Sequence, residues 1–217
     1  MKKKQGDNIF IRGGILKNSF LNKRKEDTEV EKIIVEGGFD FDDDLAPHFA
    51  EYPNLKEFEV REINSRFVSY DGLLYMRLGE EVLDSNIASY CGYFDWENGG
   101  TNKITNGLVL LCCPQSIKQK DIVIHENCTV IYGSAFYGCK LSTITIPNGL
   151  MMTCPASFTN VTIKKLIVPA RNDIRLSMNH CNVNKDVMVQ CIDKDNPSYE
   201  DICSFWKAVI TGENTFN

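Results

Sequence analysis

The amino-acid sequence predicts a short right-handed solenoid in which each unit of about 22 residues supplies one short strand and one compact turn. Three observations carry that expectation. Apolar triplets begin at residues 122, 144, 166 and 187, so their spacings are 22, 22 and 21. Bulky side chains follow at a fixed offset: Phe136, Phe158 and His180 each stand twelve residues beyond the end of a triplet. Near the C-terminus the apolar period changes to that of an amphipathic helix, as the end of a stacked array requires.

The strands are read from the triplets Ile33-Ile34-Val35, Phe58-Glu59-Val60, Ile122-Val123-Ile124, Ile144-Thr145-Ile146, Leu166-Ile167-Val168 and Val187-Met188-Val189. They are rich in β-branched residues, which suit a pleated surface. Alternation sends the outer members of each triplet inward and the middle one outward. The expected outward row is therefore Ile34, Glu59, Val123, Thr145, Ile167 and Met188, flanked by Lys32, Glu57, Asp121, Thr143 and Lys165. This row is mixed and partly apolar, which fits a protein or peptide better than a carbohydrate or phosphate. Ile34, Glu57, Glu59, Val123, Thr143, Thr145, Lys165, Ile167 and Met188 are accordingly the candidate binding residues of the strand face, which is also compatible with self-association.

The turns follow from the second half of each unit. Three residues beyond Phe136, Phe158 and His180 stand Cys139, Val161 and Val183, and an i, i+3 spacing suits a short helical or 3₁₀ turn. The alignment places His180 in a phenylalanine slot, so His180-Cys181 reads as packing and not as a metal or nucleophile pair. Neither strand nor turn can bury its apolar side alone; stacked neighbours bury a continuous ribbon.

Residues 1–29 are polar, with Lys23-Arg24-Lys25-Glu26-Asp27 as a solvated linker and Ile9-Phe10-Ile11 as a candidate capping strand. The repeats are placed at 30–192, including a hairpin over 67–115 and an insertion over 78–105. Residues 193–217 hold a capping helix and tail. In that helix Ser198 is the expected N-cap with acids in the first turn. Ile202, Phe205, Trp206 and Val209 form an i, i+3, i+4, i+7 stripe that would close the core or, on another reading, dock a partner.

Ser134-Ala135-Phe136-Tyr137-Gly138-Cys139-Lys140-Leu141-Ser142-Thr143-Ile144-Thr145-Ile146-Pro147-Asn148 resembles the repeat of BspA-type bacterial leucine-rich-repeat proteins, as does Tyr52-Pro53-Asn54-Leu55-Lys56-Glu57-Phe58-Glu59-Val60. The segment Phe67-Val68-Ser69-Tyr70-Asp71-Gly72-Leu73-Leu74-Tyr75, taken with Gly107-Leu108-Val109-Leu110-Leu111-Cys112-Cys113-Pro114, is similar to a hairpin that interrupts the repeats in that family. The resemblance implies a parallel-stranded leucine-rich-repeat solenoid with adhesive or protein-binding roles at bacterial surfaces and no enzymatic activity. The chain departs from the pattern in its degenerate final units, its lack of an evident export signal and the insertion. That insertion concentrates Tyr90, Tyr93, Phe94 and Trp96, aromatic anchors of the kind favoured at interfaces, although the rings could equally pack locally.

Other function classes are disfavoured. A net charge of -5 opposes nucleic acid and anionic membranes, which reward a positive field. No apolar run approaches the 18 residues of a membrane span, and behind Lys2-Lys3-Lys4 the apolar stretch Ile9-Phe10-Ile11 ends at Arg12. A cytoplasmic location is the expectation on that ground, and the cell surface the one the resemblance implies. Nine cysteines cannot pair completely, and without a CxxC they read as buried reduced thiols, Cys128, Cys139, Cys154, Cys181 and Cys191 foremost. A cysteine-dependent enzyme would draw on Cys91, Cys112 or Cys113, yet no base accompanies them. Asp40, Asp42, Asp44 and Glu51 occupy calcium-loop positions, but Leu45 stands where the sharp turn needs glycine, so a solvated acidic turn is expected. No metal, cofactor or catalytic residue is assigned.

Overall fold

The computed structural model describes residues 8–11, 14–16, 29–37, 39–41, 49, 52–61, 64–78, 106–171, 174–176 and 181–212. The chain is a β-solenoid of about five turns ending in a helix. Its C-terminal half carries two stacked strand rows. One row comprises β8 (Leu108–Cys112), β10 (Cys128–Ile131), β12 (Met152–Thr153) and β14 (Arg175–Leu176). The other comprises β9 (Asp121–Val123), β11 (Lys140–Thr145), β13 (Thr162–Val168) and β15 (Met188–Cys191). Both rows pair in parallel, so each coil supplies two strands where the triplet pattern predicts one.

The N-terminal half repeats the plan with longer coils. Here β1 (Asn8–Ile11), β3 (Lys32–Val35) and β5 (Glu57–Val60) form one parallel row, and β2 (Gly14–Leu16) pairs with β4 (Phe39–Phe41). Asn8 lies beside Lys32 and Lys32 beside Glu57, a stride of 24 and then 25 residues. Ile9-Phe10-Ile11, the candidate capping strand, thus pairs as a rung of the array, while the expected linker at residues 23–27 lies outside the described residues.

Two antiparallel strands join these halves. β6 (Phe67–Tyr70) and β7 (Leu73–Arg77) turn on Asp71 and Gly72, both at positive φ (50° and 79°), the geometry of a two-residue hairpin whose twist matches its strands. β7 pairs antiparallel with β8, so the hairpin does not interrupt the solenoid; it widens one row into a six-stranded sheet, β14-β12-β10-β8-β7-β6.

The central strands β7 and β8 of that sheet are buried on both faces. Tyr75, Leu110 and Ile131 enter the core shared with Ile122, Ile144 and Leu166, whereas Met76, Val109, Val130 and Met152 enter a second core with Ile33, Val35 and Phe58. Burial on both sides explains why β7 and β8 read as unbroken apolar runs without a polar beat.

The turns between rows stack like the strands. Phe136 and Phe158 lie with ring centroids 5.4 Å apart and planes 11° from parallel, as their shared slot predicts. His180 lies outside the described residues. The turns are not 3₁₀ helix, because left-handed residues break each one: Ser134 and Gly138 in one coil, Ala156 and Asn160 one coil later, with φ between 52° and 73°. Bonds such as Cys139 N–H to Phe136 O (3.0 Å) close them, and Phe136 N–H donates to Ser157 O (3.2 Å) in the next coil.

The helix α1 (Tyr199–Thr211) seals the C-terminal end, with Ile202, Trp206 and Ile210 in the first core and Phe205 packed partly against it. Ser198 occupies the N-cap without a side-chain bond to the helix; its N–H instead donates to Asn196 Oδ1 at 2.8 Å. Val183 N–H donates to Ile210 O (2.9 Å), stitching helix to solenoid. No helix among the described residues is long and apolar enough to cross a membrane.

Candidate binding face

The row β9-β11-β13-β15 turns one side to the core and the other outward. The register lays the outward side chains in columns across the strands: Asp121, Thr143, Lys165 and Met188 form one, and Val123, Thr145, Ile167 and Gln190 the next. Val123 is 65% exposed and Met188 55%, with Ile192 beyond the end of β15 at 47%. Thr143, Thr145, Lys165 and Ile167 are half-buried between their neighbours.

Two expectations about this face change. Met188 falls in the column of Lys165, not that of Ile167, because the last coil takes 23 residues where the earlier ones take 22. Ile167 is followed by Gln190, which the triplet pattern missed. Ile34 does not face solvent: it is 5% exposed, seated in the central strand of its sheet between Phe10 and Glu59.

The N-terminal row carries charge instead of apolar surface. Lys32 Nζ reaches Glu57 Oε1 at 2.6 Å and Glu59 Oε2 at 3.1 Å, and Arg61 Nη1 reaches Glu59 Oε1 at 3.0 Å. The hydrogen bond to Glu57, then that to Glu59, raises the Lys32 ammonium above its ordinary value. Glu57 and Glu59 are thus engaged within the chain, as is Lys56 with Glu31. That leaves the C-terminal face as the apolar, less committed surface.

One corner of that face has an aromatic wall. Tyr70, at the hairpin tip, stacks on His125 with centroids 4.1 Å apart, and Tyr75 meets Tyr70 edge-on at 5.8 Å. The buried Tyr75 hydroxyl accepts the His125 backbone N–H at 3.2 Å, and burial raises its ionisation above the ordinary tyrosine range. His125 Nδ1 accepts the Asn127 N–H (3.2 Å), which leaves Nε2 to point away from that turn. No pattern near either residue announces this contact, since it is made across 55 positions of chain. The readable clue is Asp71-Gly72 behind Tyr70, whose hairpin signature fixes where Tyr70 turns.

The insertion leaves the fold beside this corner. Leu78 N–H donates to Gly107 O (3.0 Å), Leu108 N–H to Asn127 O (2.9 Å), and Thr129 Oγ1 to Asn106 O (3.4 Å). Tyr90, Tyr93, Phe94 and Trp96 lie outside the described residues, as do Cys91, Asp42, Asp44 and Glu51.

The remaining chemical candidates are packed away. Cys112 and Cys113 are buried and unpaired. Burial pushes Cys112 well above the ordinary thiol value; contact with the Cys139 thiol, together with burial, does the same to Cys113. This is the reverse of what a thiolate nucleophile requires. Among the described residues no cluster of three or more His, Cys, Asp or Glu side chains is placed to hold a metal.

Comparison with known proteins agrees with the repeat geometry. Residues 112–186 match the family model described as "BspA type Leucine rich repeat region (6 copies)". No curated protein matches the chain. Among solved structures, a leucine-rich repeat protein from Eubacterium ventriosum ATCC 27560 is 15% identical with a TM-score of 0.46, the match covering 75% of this chain and 37% of that one. A leucine rich cell surface protein from Faecalibacterium prausnitzii A2-165 is 9% identical with a TM-score of 0.37, covering 93% of this chain and 63% of that one. This chain therefore spans between about a third and two thirds of the length of those proteins. From the 22-residue register and the family match, the repeat region over residues 112–186 belongs to the BspA-type leucine-rich repeats.

Proposed function

We propose that this chain is a non-enzymatic leucine-rich-repeat scaffold that binds a protein or peptide through the outward face of β9, β11, β13 and β15. One observation carries the reading: a rigid sheet, backed by a continuous core, holds Val123, Ile167, Met188 and Ile192 at its solvent side in a field with few charges. Exposed apolar groups set among polar ones are what protein interfaces use, and Thr143 and Thr145 on β11 supply hydroxyls that both donate and accept. The aromatic corner of Tyr70 and His125 extends the same surface and is added to the residues expected from the strand pattern.

The test is affinity selection of a displayed random-peptide library on the folded chain, with each recovered peptide titrated against variants. Ile167→Glu is expected to weaken binding about tenfold or more, because it places an unpaired charge at the centre of the contact. Met151→Glu, exposed but outside these columns, is the control and should leave binding unchanged. Peptides indifferent to Ile167→Glu, or a library that yields none, would refute the assignment.

A further inference from the structure

We infer that the outward face of this four-stranded row is the interface of a symmetric homodimer, with β11 on the two-fold axis. The inference rests on the reading of that face as a protein-binding surface and names its occupant as a second copy of the chain.

The register supplies the reason. Asp121, Thr143 and Lys165 stand in one column on three successive strands, and Val123, Thr145 and Ile167 in the adjacent one. With strands about 4.8 Å apart, the backbones at Asp121 and Lys165 stand about 10 Å apart, with Thr143 between them. Neither joins an ion pair with another described residue. A two-fold axis lying along β11 carries the strand before it onto the strand after it. Asp121 then faces Lys165 of the second copy, and Lys165 faces the second copy's Asp121.

The same operation sets Val123 over Ile167, apolar on apolar, twice. Thr143 and Thr145 meet their own copies, and a hydroxyl can serve either end of a hydrogen bond. One symmetry operator thus gives Asp121, Lys165, Val123 and Ile167 each a complementary partner. Two like charges at 121 and 165 would make the same face self-repelling. An isologous interface needs this kind of self-complementarity, and cyclic dimers are the commonest closed assembly.

The experiment is sedimentation equilibrium across a concentration series, with charge reversals at both positions. The native chain is expected to dimerise. Asp121→Lys and Lys165→Asp should each weaken association about tenfold or more, since each creates two like-charge contacts per dimer. Two further arms separate a lost complement from a damaged face. The double variant Asp121→Lys/Lys165→Asp should recover the native dissociation constant within about threefold. An equimolar mixture of the two singly reversed chains should associate more tightly than either alone, because each then meets its opposite. A monomer at every concentration, reversals without effect, or a mixture no tighter than its components would overturn the inference. A monomeric native chain whose peptide binding is still abolished by Ile167→Glu would overturn the dimer alone and leave the binding face standing.

Discussion

Trp206→Ala tests whether α1 completes the core. Trp206 is 1% exposed and shares its cluster with Val183, Val187, Cys191 and Ile202. An aromatic side chain of this size buries roughly 150–250 Å², of which the substitution removes about 150 Å². At about 25 cal/mol per Å² that is a loss of about 4 kcal/mol, within the roughly 3–5 kcal/mol typical of Trp or Phe truncation. Measured urea unfolding, followed by circular dichroism, should show this loss, while the exposed Ser204→Ala should stay within about 0.5 kcal/mol of the native chain. Hydrogen exchange locates the effect: the Val183 amide, bonded to Ile210 O, should lose protection in Trp206→Ala before the Ile144 amide does. A loss under about 1 kcal/mol, or equal protection at both amides, would refute the view that the helix seals the last coil.

Three further outcomes follow from the geometry. Ala156→Gly relieves a left-handed residue at φ 62° and should raise stability by about 1 kcal/mol in thermal unfolding, whereas Gly138→Ala, at φ 73° with a Cβ placed 2.8 Å from Gln115 Nε2, should lower it. Asn64→Ala removes the acceptor for the Phe67 N–H (2.8 Å) and the Arg66 N–H (3.0 Å) and the donor to Gly37 O (3.0 Å), so a cost of about 2–3 kcal/mol is expected in urea titration, with under 1 kcal/mol counting against it. Burial raises the thiol of Cys128 from 9.0 to about 12, and that of Cys112 also upward, so the folded state holds these groups neutral while the unfolded chain ionises them near 9. Their contribution is therefore complete below pH 9 and is lost as pH rises toward 12, at about 1.4 kcal/mol per pH unit for each thiol; a urea midpoint that stays flat across that window would contradict it.

The period was the legible part of the fold. Triplets at 122, 144 and 166 place Ile122, Ile144 and Leu166 in register, and the chain folds so. The second strand of the later coils was not legible, because Met152–Thr153 and Arg175–Leu176 are two residues long, too short to show alternation. Leu108–Cys112 was legible only through its resemblance to a hairpin segment, since burial on both faces erases the polar beat. Of the site, Val123, Thr145 and Ile167 could be read because alternation alone positions them. Met188 was displaced by one extra residue in its coil, and Ile34 was covered by its neighbours. The Tyr70–His125 contact joins distant parts of the chain and exists only because β6 and β7 fold back to bring it about.

The six-stranded sheet with a core on either side gives the molecule a keystone. An open solenoid can gain or lose whole coils, since each touches only its neighbours. Here β7 and β8 are shared property: Leu74, Met76 and Val109 belong to one core, while Leu73, Tyr75 and Leu110, on the same strands, belong to the other. Neither half could be trimmed away without stripping the cover from the other. Coils could be added or deleted beyond β12, so evolution or design would find this chain extensible toward its helix and indivisible at its centre.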